Sequence, residues 1–315
     1  MELIYQIEAV KTKRKRLVVI YIIVLLLVLL ASIGLGIFAA KKVNENKQNE
    51  NYNIISSENS TKNIISNSES SSNSNINQNT SNTEIKEDIK SNQSKEKFVE
   101  NVDDIYNGEE GKRVFLTFDD GPSTSVTPHI LDTLKKYNIK ATFFVLGNRV
   151  SDNAELIKRE YNEGHYIANH GYSHRYDKIY ASSKNVLKEY NKTEQEIKKA
   201  LGDENYSSNL FRFPGGSIGG EYDKIKEKAK IDLKRNQIAY LDWNALTNDA
   251  AGAYTKEKII KNLKKTVGNK NNVVVLMHDA PDKILTYETL EDIIKYLQQK
   301  GYSFKNMYDL MWMEE

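Results

Sequence analysis

Arg113 to Ser123 reads RVFLTFDDGPS, and this stretch decides the fold. An apolar run, Val114 to Phe118, has the composition of a buried β-strand and ends in two adjacent carboxylates, Asp119 and Asp120. Gly121 and Pro122 then break the strand. Asp and Gly are common at ordinary strand-to-turn junctions. Two like charges side by side, however, repel unless a cation lies nearby. One acid of such a pair can hold a metal while the other stays free as a base.

The same theme recurs downstream. Apolar strand candidates are Val114–Phe118, Thr142–Val145, Tyr166–Ala168, Leu210–Phe213, Ile238–Leu241 and Val273–Met277. Between them lie stretches with apolar residues three and four apart: Val126–Tyr137, Ala154–Glu163, Lys184–Leu201, Lys256–Val267 and Thr286–Lys300. Strand-then-helix alternation implies a parallel sheet with helices outside, open or closed into a barrel. Five strands end in reactive side chains: Asp119 and Asp120, His170, Arg212, Asp242 with Trp243, and His278 with Asp279. In a parallel α/β barrel these ends converge on one rim, where active sites are built.

Asn169 to His174 reads NHGYSH, with His170 and His174 at an i, i+4 spacing that can grip one divalent ion. With Asp120 the set becomes two His and one carboxylate. That set suits catalytic zinc, and equally non-haem iron, so the spacing leaves the metal open. A hydrolytic water needs a base, for which Asp119 is placed, and the leaving group needs an acid, which His278 can supply near neutral pH. Gly215 lies in a Gly-rich turn whose backbone N–H can face an oxyanion. Arg212 can pair with a carboxylate and fix its orientation. His129 and His165 lie away from strand C-terminal ends and read as structural.

The order TFDDG, H-x3-H, R-x-P-x-G, W-x5-D and L-x-H resembles the polysaccharide deacetylases of carbohydrate esterase family 4, the NodB homology domain. The likeness is strongest to bacterial peptidoglycan N-acetylglucosamine deacetylases and spans about Lys112 to Leu310, including ATFFVLG and EGHYIANH. It implies a distorted (β/α) barrel with fewer than eight full units. It also implies that Asp119 is the general base and that Asp120, His170 and His174 bind a metal. That metal is zinc, with cobalt, manganese, nickel or iron as alternatives. By the same resemblance Arg212 orients the base, the Gly215 backbone holds the oxyanion, Asp249 tunes the general acid His278, and Leu276 lines the acetyl pocket beside Trp243. Three positions depart from the family pattern. Gly215 stands where an aromatic residue is usual, Ala250 follows Asp249 in place of Trp, and Leu246 replaces an Asp. Asp242 is a candidate to restore some of that polarity.

The N-terminal third sets the expected compartment. Residues 1–16 carry Lys11, Lys13, Arg14, Lys15 and Arg16. Leu17 to Ala40 then runs 24 residues without a charge, about 36 Å as a helix. That length favours a retained transmembrane anchor over a cleaved signal peptide. The basic flank puts the N-terminus in the cytoplasm and the rest outside, at the cell membrane. Residues 41–110, rich in Ser and Asn, are expected to be a disordered linker. Some 60 coil residues reach roughly 40 Å from the membrane. Residues 111–315 then form one catalytic domain, expected to be monomeric.

Net charge is +2 with no basic stripe interleaved with aromatics, which argues against nucleic acid as a partner. The absence of cysteine rules out disulfides, thiolate metal sites and a cysteine nucleophile. Taken together, these features point to a membrane-anchored, metal-dependent enzyme removing N-acetyl groups from a surface glycan, with peptidoglycan as the leading substrate. Other acetylated polysaccharides, namely exopolysaccharide, chitin-like oligomers and acetylxylan, are the alternatives within the same chemistry. A non-catalytic glycan-binding protein is the alternative outside it. A metallopeptidase fits less well, since H-E-x-x-H does not occur.

Overall fold

The structure, a computed structural model, describes residues 93–107 and 111–311. The expected tail, the anchor at 17–40 and most of the linker lie outside these residues. Among the described residues no helix is long and apolar enough to cross a membrane.

Eight strands build the sheet: β1 (Arg113–Asp119), β2 (Thr142–Val145), β3 (Tyr166–Asn169), β4 (Leu210–Phe211), β5 (Ala239–Tyr240), β6 (Ala245–Leu246), β7 (Asn272–His278) and β8 (Ser303–Lys305). Every pairing is parallel. The order is β5-β4-β3-β2-β1-β7-β6, with β8 joined to the start of β1. β5 and β6 do not pair, so the expected barrel is realised as a parallel α/β sheet left open between them. β1 is central because it can be. All seven of its residues are buried, so both faces pack without a solvated side.

Helices cover the sheet where periodicity predicts them, at Thr127–Lys136, Ala154–Asn162, Ser183–Leu201, Lys256–Val267 and Ile284–Gln299. The hydroxyls of Ser182 and Thr255 cap two of these, accepting from the N–H groups of Asn185 and Lys258. The helix Asp223–Arg235 was not expected. Its buried face is only Lys226, Ala229 and Leu233, a stripe too thin to stand out among its lysines.

The expected linker, 41–110, needs correction at its C-terminal end. Residues 93–103 are helical, and Phe98, Val99, Val102 and Ile105 are buried in one cluster with Phe115, Tyr166 and Leu310. Asn101 donates to the Leu310 carbonyl at 2.7 Å. Each such side chain contributes roughly 1.5–3 kcal/mol when fully buried, enough to order a short helix despite its polar neighbours. Phe98 also stacks on Tyr166 with ring centroids 6.1 Å apart.

Glu160, on the helix over residues 154–162, is fully buried, and neither carboxyl oxygen has a partner among the described residues. Burial, with a smaller push from Asp279, raises its pKa well above the ordinary carboxylate range. An acid whose folded pKa is raised stabilises the fold below its unfolded pKa and loses that contribution as pH climbs toward the folded value. Glu160→Gln is therefore expected to match wild type in thermal unfolding near about pH 5 and to exceed it increasingly toward about pH 8. Melting curves that stay parallel across that range would refute this.

Candidate active site

The C-terminal ends of β1, β3, β4 and β7 gather around a cleft of about 340 Å³ lined by Asp119, Asp120, His170, His174, Asp249 and His278. Trp243, Leu276 and Gly215 also line it, so the residues expected from sequence come together here. Arg212 does not face the cleft. It lies fully buried behind Asp119.

Asp119 closes β1 directly opposite His278 in the β1–β7 register. Its Oδ1 accepts from Arg212 Nη1 at 2.8 Å, and its Oδ2 lies 3.8 Å from His170 Nε2. Burial raises the Asp119 pKa, opposed by the Arg212 charge. One oxygen is thus fixed while the other faces the cleft, the arrangement a base requires. Arg212 also donates to Thr117 Oγ1 at 2.7 Å and to the carbonyls of Leu241 and Asp242 at 2.9 and 3.0 Å. Its guanidinium lies 3.8 Å over the Phe144 ring.

Asp120 turns away from its neighbour with φ at +73°, a conformation that Asp tolerates better than most residues. Its Oδ1 lies 3.6 Å from His170 Nε2 and 3.4 Å from His174 Nε2. These three residues are the group among the described residues whose ligand atoms all lie within 4.8 Å of one another. Asp120 Oδ1 is buried and makes no hydrogen bond among the described residues, which suits an atom meant for a cation. His170 Nδ1 lies 2.8 Å from the Arg212 carbonyl. That contact requires Nδ1 to carry the proton and leaves the Nε2 lone pair for a metal. Burial lowers the His170 pKa to about 3, so the ring is neutral. The donor set therefore fits a divalent ion of the zinc type.

The opposite wall carries His278. Its Nδ1 is 2.9 Å from Asp249 Oδ1, and Asp249 Oδ2 accepts from the His278 backbone N–H and from Thr286 Oγ1, each at 2.8 Å. Desolvation alone would lower the His278 pKa. The Asp249 hydrogen bond and charge outweigh it and raise the value to about 9. The imidazole is then charged at neutral pH and can act as an acid. Hydrogen bonds from His278 and Thr286 more than offset burial at Asp249 and hold its pKa below the usual range.

Two expectations resolve differently. Asp242 does not restore polarity to the cleft. Its carboxylate is taken up by the Ser217 N–H at 2.9 Å and the Ser217 hydroxyl at 2.6 Å, which pin the loop after Gly215. Asp279 is buried behind the site and accepts from Thr127 Oγ1 at 2.6 Å. His165 and His129 are not among the residues that line the cleft. The first accepts the Ala141 N–H at 3.1 Å, and the second stacks on Tyr287 at 4.5 Å.

Sequence reasoning missed two residues. Glu189 accepts from the N–H groups of Tyr172 and Ser173 at 2.8 Å each and from Ser173 Oγ at 2.9 Å. It thereby fixes the loop between the two histidines, in which His174 has φ at +53°. Tyr176 lines the cleft two residues beyond His174. Only the proximity of Tyr176 to NHGYSH was a signal, and Glu189 gave none.

A parallel α/β sheet that delivers two histidines, a free acid and a second acid–histidine pair to one rim has the groups that metal-assisted hydrolysis requires. The polysaccharide deacetylase family profile matches residues 106–233. The peptidoglycan-N-acetylmuramic acid deacetylase of Bacillus subtilis is 31% identical over 220 residues, covering 69% of this chain and 78% of that one. The peptidoglycan-N-acetylglucosamine deacetylase of Listeria monocytogenes is 33% identical over 209 residues, covering 66% of this chain, and the match spans only 41% of that longer protein. Among solved structures, a Streptococcus mutans CE4 esterase superposes with a TM-score of 0.60 at 32% identity, covering 66% of this chain and 90% of that one. The chain belongs to the polysaccharide deacetylase family, the NodB homology domain of carbohydrate esterase family 4.

Proposed function

We propose that the protein is a metal-dependent N-deacetylase of a cell-surface glycan, acting on N-acetylglucosamine of peptidoglycan. The observation that carries this reading is the single cleft holding Asp119 on Arg212, the Asp120–His170–His174 set and His278 on Asp249. The peptidoglycan deacetylases among its relatives support the substrate class.

Zinc held by Asp120, His170 and His174 would polarise the acyl oxygen and make water more acidic. Asp119 takes a proton from the attacking water through its free Oδ2. The Gly215 N–H, which makes no hydrogen bond among the described residues, donates to the developing oxyanion. His278 returns a proton to the amide nitrogen, the C–N bond breaks, and acetate and a free amine leave. Leu276, only 9% exposed, offers an apolar wall to the acetyl methyl. We extend the proposal to the N-terminal segments. The charge-free stretch at 17–40 and its basic flank support a single-pass anchor, with the catalytic domain outside the cell.

Acetate release tests this reading, measured on peptidoglycan and on N-acetylglucosamine oligomers with and without a chelator. Mass analysis of each product places the lost acetyl group on glucosamine or on muramic acid. No release from any glycan by zinc-loaded protein would overturn the reading, and a strong preference for acetylxylan would overturn the amide assignment.

Asp249→Asn tests the acid. Without that charge, desolvation at His278 is opposed only by the charges of Asp119 and Asp120, and its pKa is expected to fall below about 9. The alkaline limb of kcat/KM reports loss of the proton, so it should move to lower pH. An unmoved limb would exclude His278 as the acid.

A further inference from the structure

Gly215 is the residue whose side chain is missing from the cleft wall, and its place is already taken. Its φ is +76°, and a Cβ built there would lie 2.5 Å from Tyr176 Oη and 3.2 Å from Tyr176 Cζ. The phenol of Tyr176 thus reaches across to the turn at residue 215 from the loop that carries His174. Its ring lies 5.6 Å from the His174 ring and 5.7 Å from that of Tyr180. Tyr180 donates its own hydroxyl to the Pro214 carbonyl at 2.7 Å, so both sides of this contact are anchored to the same turn. The Tyr222 ring, 6.4 Å away, flanks the same cluster. Tyr176 nevertheless remains 40% exposed and lines the cleft, and its hydroxyl makes no hydrogen bond among the described residues. A large aromatic side chain fixed by its neighbours, with an unspent donor beside the reacting groups, is suited to grip a ligand that has both apolar ring faces and hydroxyls.

We propose that Tyr176 is a specificity-determining residue that contacts the sugar bearing the scissile N-acetyl group, and that Gly215 is small so that Tyr176 can enter the cleft. This rests on the deacetylase reading. Tyr176 Oη exchanges a hydrogen bond with a sugar hydroxyl, while the exposed ring packs on the pyranose face. The chemical step needs nothing from Tyr176. Its contribution is made to the sugar, so it is lost when the substrate has none.

The test compares kcat/KM on an N-acetylglucosamine tetramer with kcat/KM on a sugar-free aryl acetate for zinc-loaded wild type, Tyr176→Phe and Tyr176→Ala. Tyr176→Phe keeps the ring and its packing, so folding is preserved. Loss of one neutral hydrogen bond is expected to lower the tetramer-to-aryl-acetate ratio about 5–10-fold. Tyr176→Ala should lower the ratio further, with the loss expressed mainly in KM. If Tyr176 only buttressed His174, both substrates would suffer alike and the ratio would not move, which overturns the proposal. An unchanged ratio in Tyr176→Phe with a reduced one in Tyr176→Ala overturns the hydroxyl contact and leaves the ring contact supported. Wild-type protein that releases no acetate from the tetramer would instead overturn the deacetylase reading itself, and this inference with it.

Discussion

Asp119→Asn is expected to lower acetate release by about 10²–10⁴-fold, the range that a positioned acid or base contributes. The reason is specific to one atom. Oδ1 of Asp119 is committed to Arg212 at 2.8 Å, so proton transfer must use Oδ2, on the side of His170. Asparagine can keep the first contact through its amide oxygen but offers an NH₂ where the free carboxylate oxygen was, and no proton can be taken there. The three residues expected to bind the ion are untouched, so zinc affinity measured by calorimetry should stay within a few-fold. The substitution also leaves the buried Arg212 charge uncompensated, so a thermal melt must accompany the kinetics. A folded, zinc-binding Asp119→Asn protein that still turns over at more than a tenth of the wild-type rate would remove Asp119 from the mechanism.

Much of this arrangement can be read from the chain because β1 and β7 are long and apolar. Their register then follows from where the apolar runs stop, and it sets Asp119 against His278. The different placement of Asp119 and Asp120 also follows from their position at a strand end. A strand residue points inward toward Arg212, whereas its neighbour, at positive φ before Gly121, swings to the histidines. The remainder depends on contacts between distant segments. Glu189 lies in mid-helix with polar neighbours, and nothing local marks it as the clamp of the His170–His174 loop. Tyr176 in the cleft occupies space that a Cβ on residue 215, far along the chain, would need. The helix over residues 93–103 was hidden by composition. Its apolar side chains sit at helical spacing, but they follow a long Ser- and Asn-rich tract that reads as coil.

Arg212 carries the largest expected effect on stability. It is fully buried and joins three strand ends. It donates to Thr117 and Asp119 on β1 and to the carbonyls of Leu241 and Asp242 just past β5, while its own carbonyl meets His170 after β3. Arg212→Met keeps much of the volume over Phe144 and removes every donor. Asp119 would then be a buried carboxylate without its cation, and the carbonyls of Leu241 and Asp242 would lose this donor. Breaking such a pair costs about 3–5 kcal/mol. For a domain of this size each kcal/mol lowers Tm by roughly 2–4 °C, so a fall on the order of 6–20 °C is expected. Lysine should not rescue it, since one ammonium cannot reproduce four donations from a planar fork. Asp119 itself supplies the second readout. Burial raises its pKa and Arg212 opposes that rise, so removing Arg212 moves the Asp119 pKa higher still. A base must be deprotonated to act, and the acid limb of the pH–rate profile should therefore shift to higher pH in whatever fraction of Arg212→Met remains folded. Pairing Arg212→Met with Asp119→Leu should recover part of the lost stability, because no charge is then left buried alone, while activity stays absent. A double variant no more stable than Arg212→Met would mean that the carbonyl contacts, rather than the ion pair, dominate what Arg212 contributes.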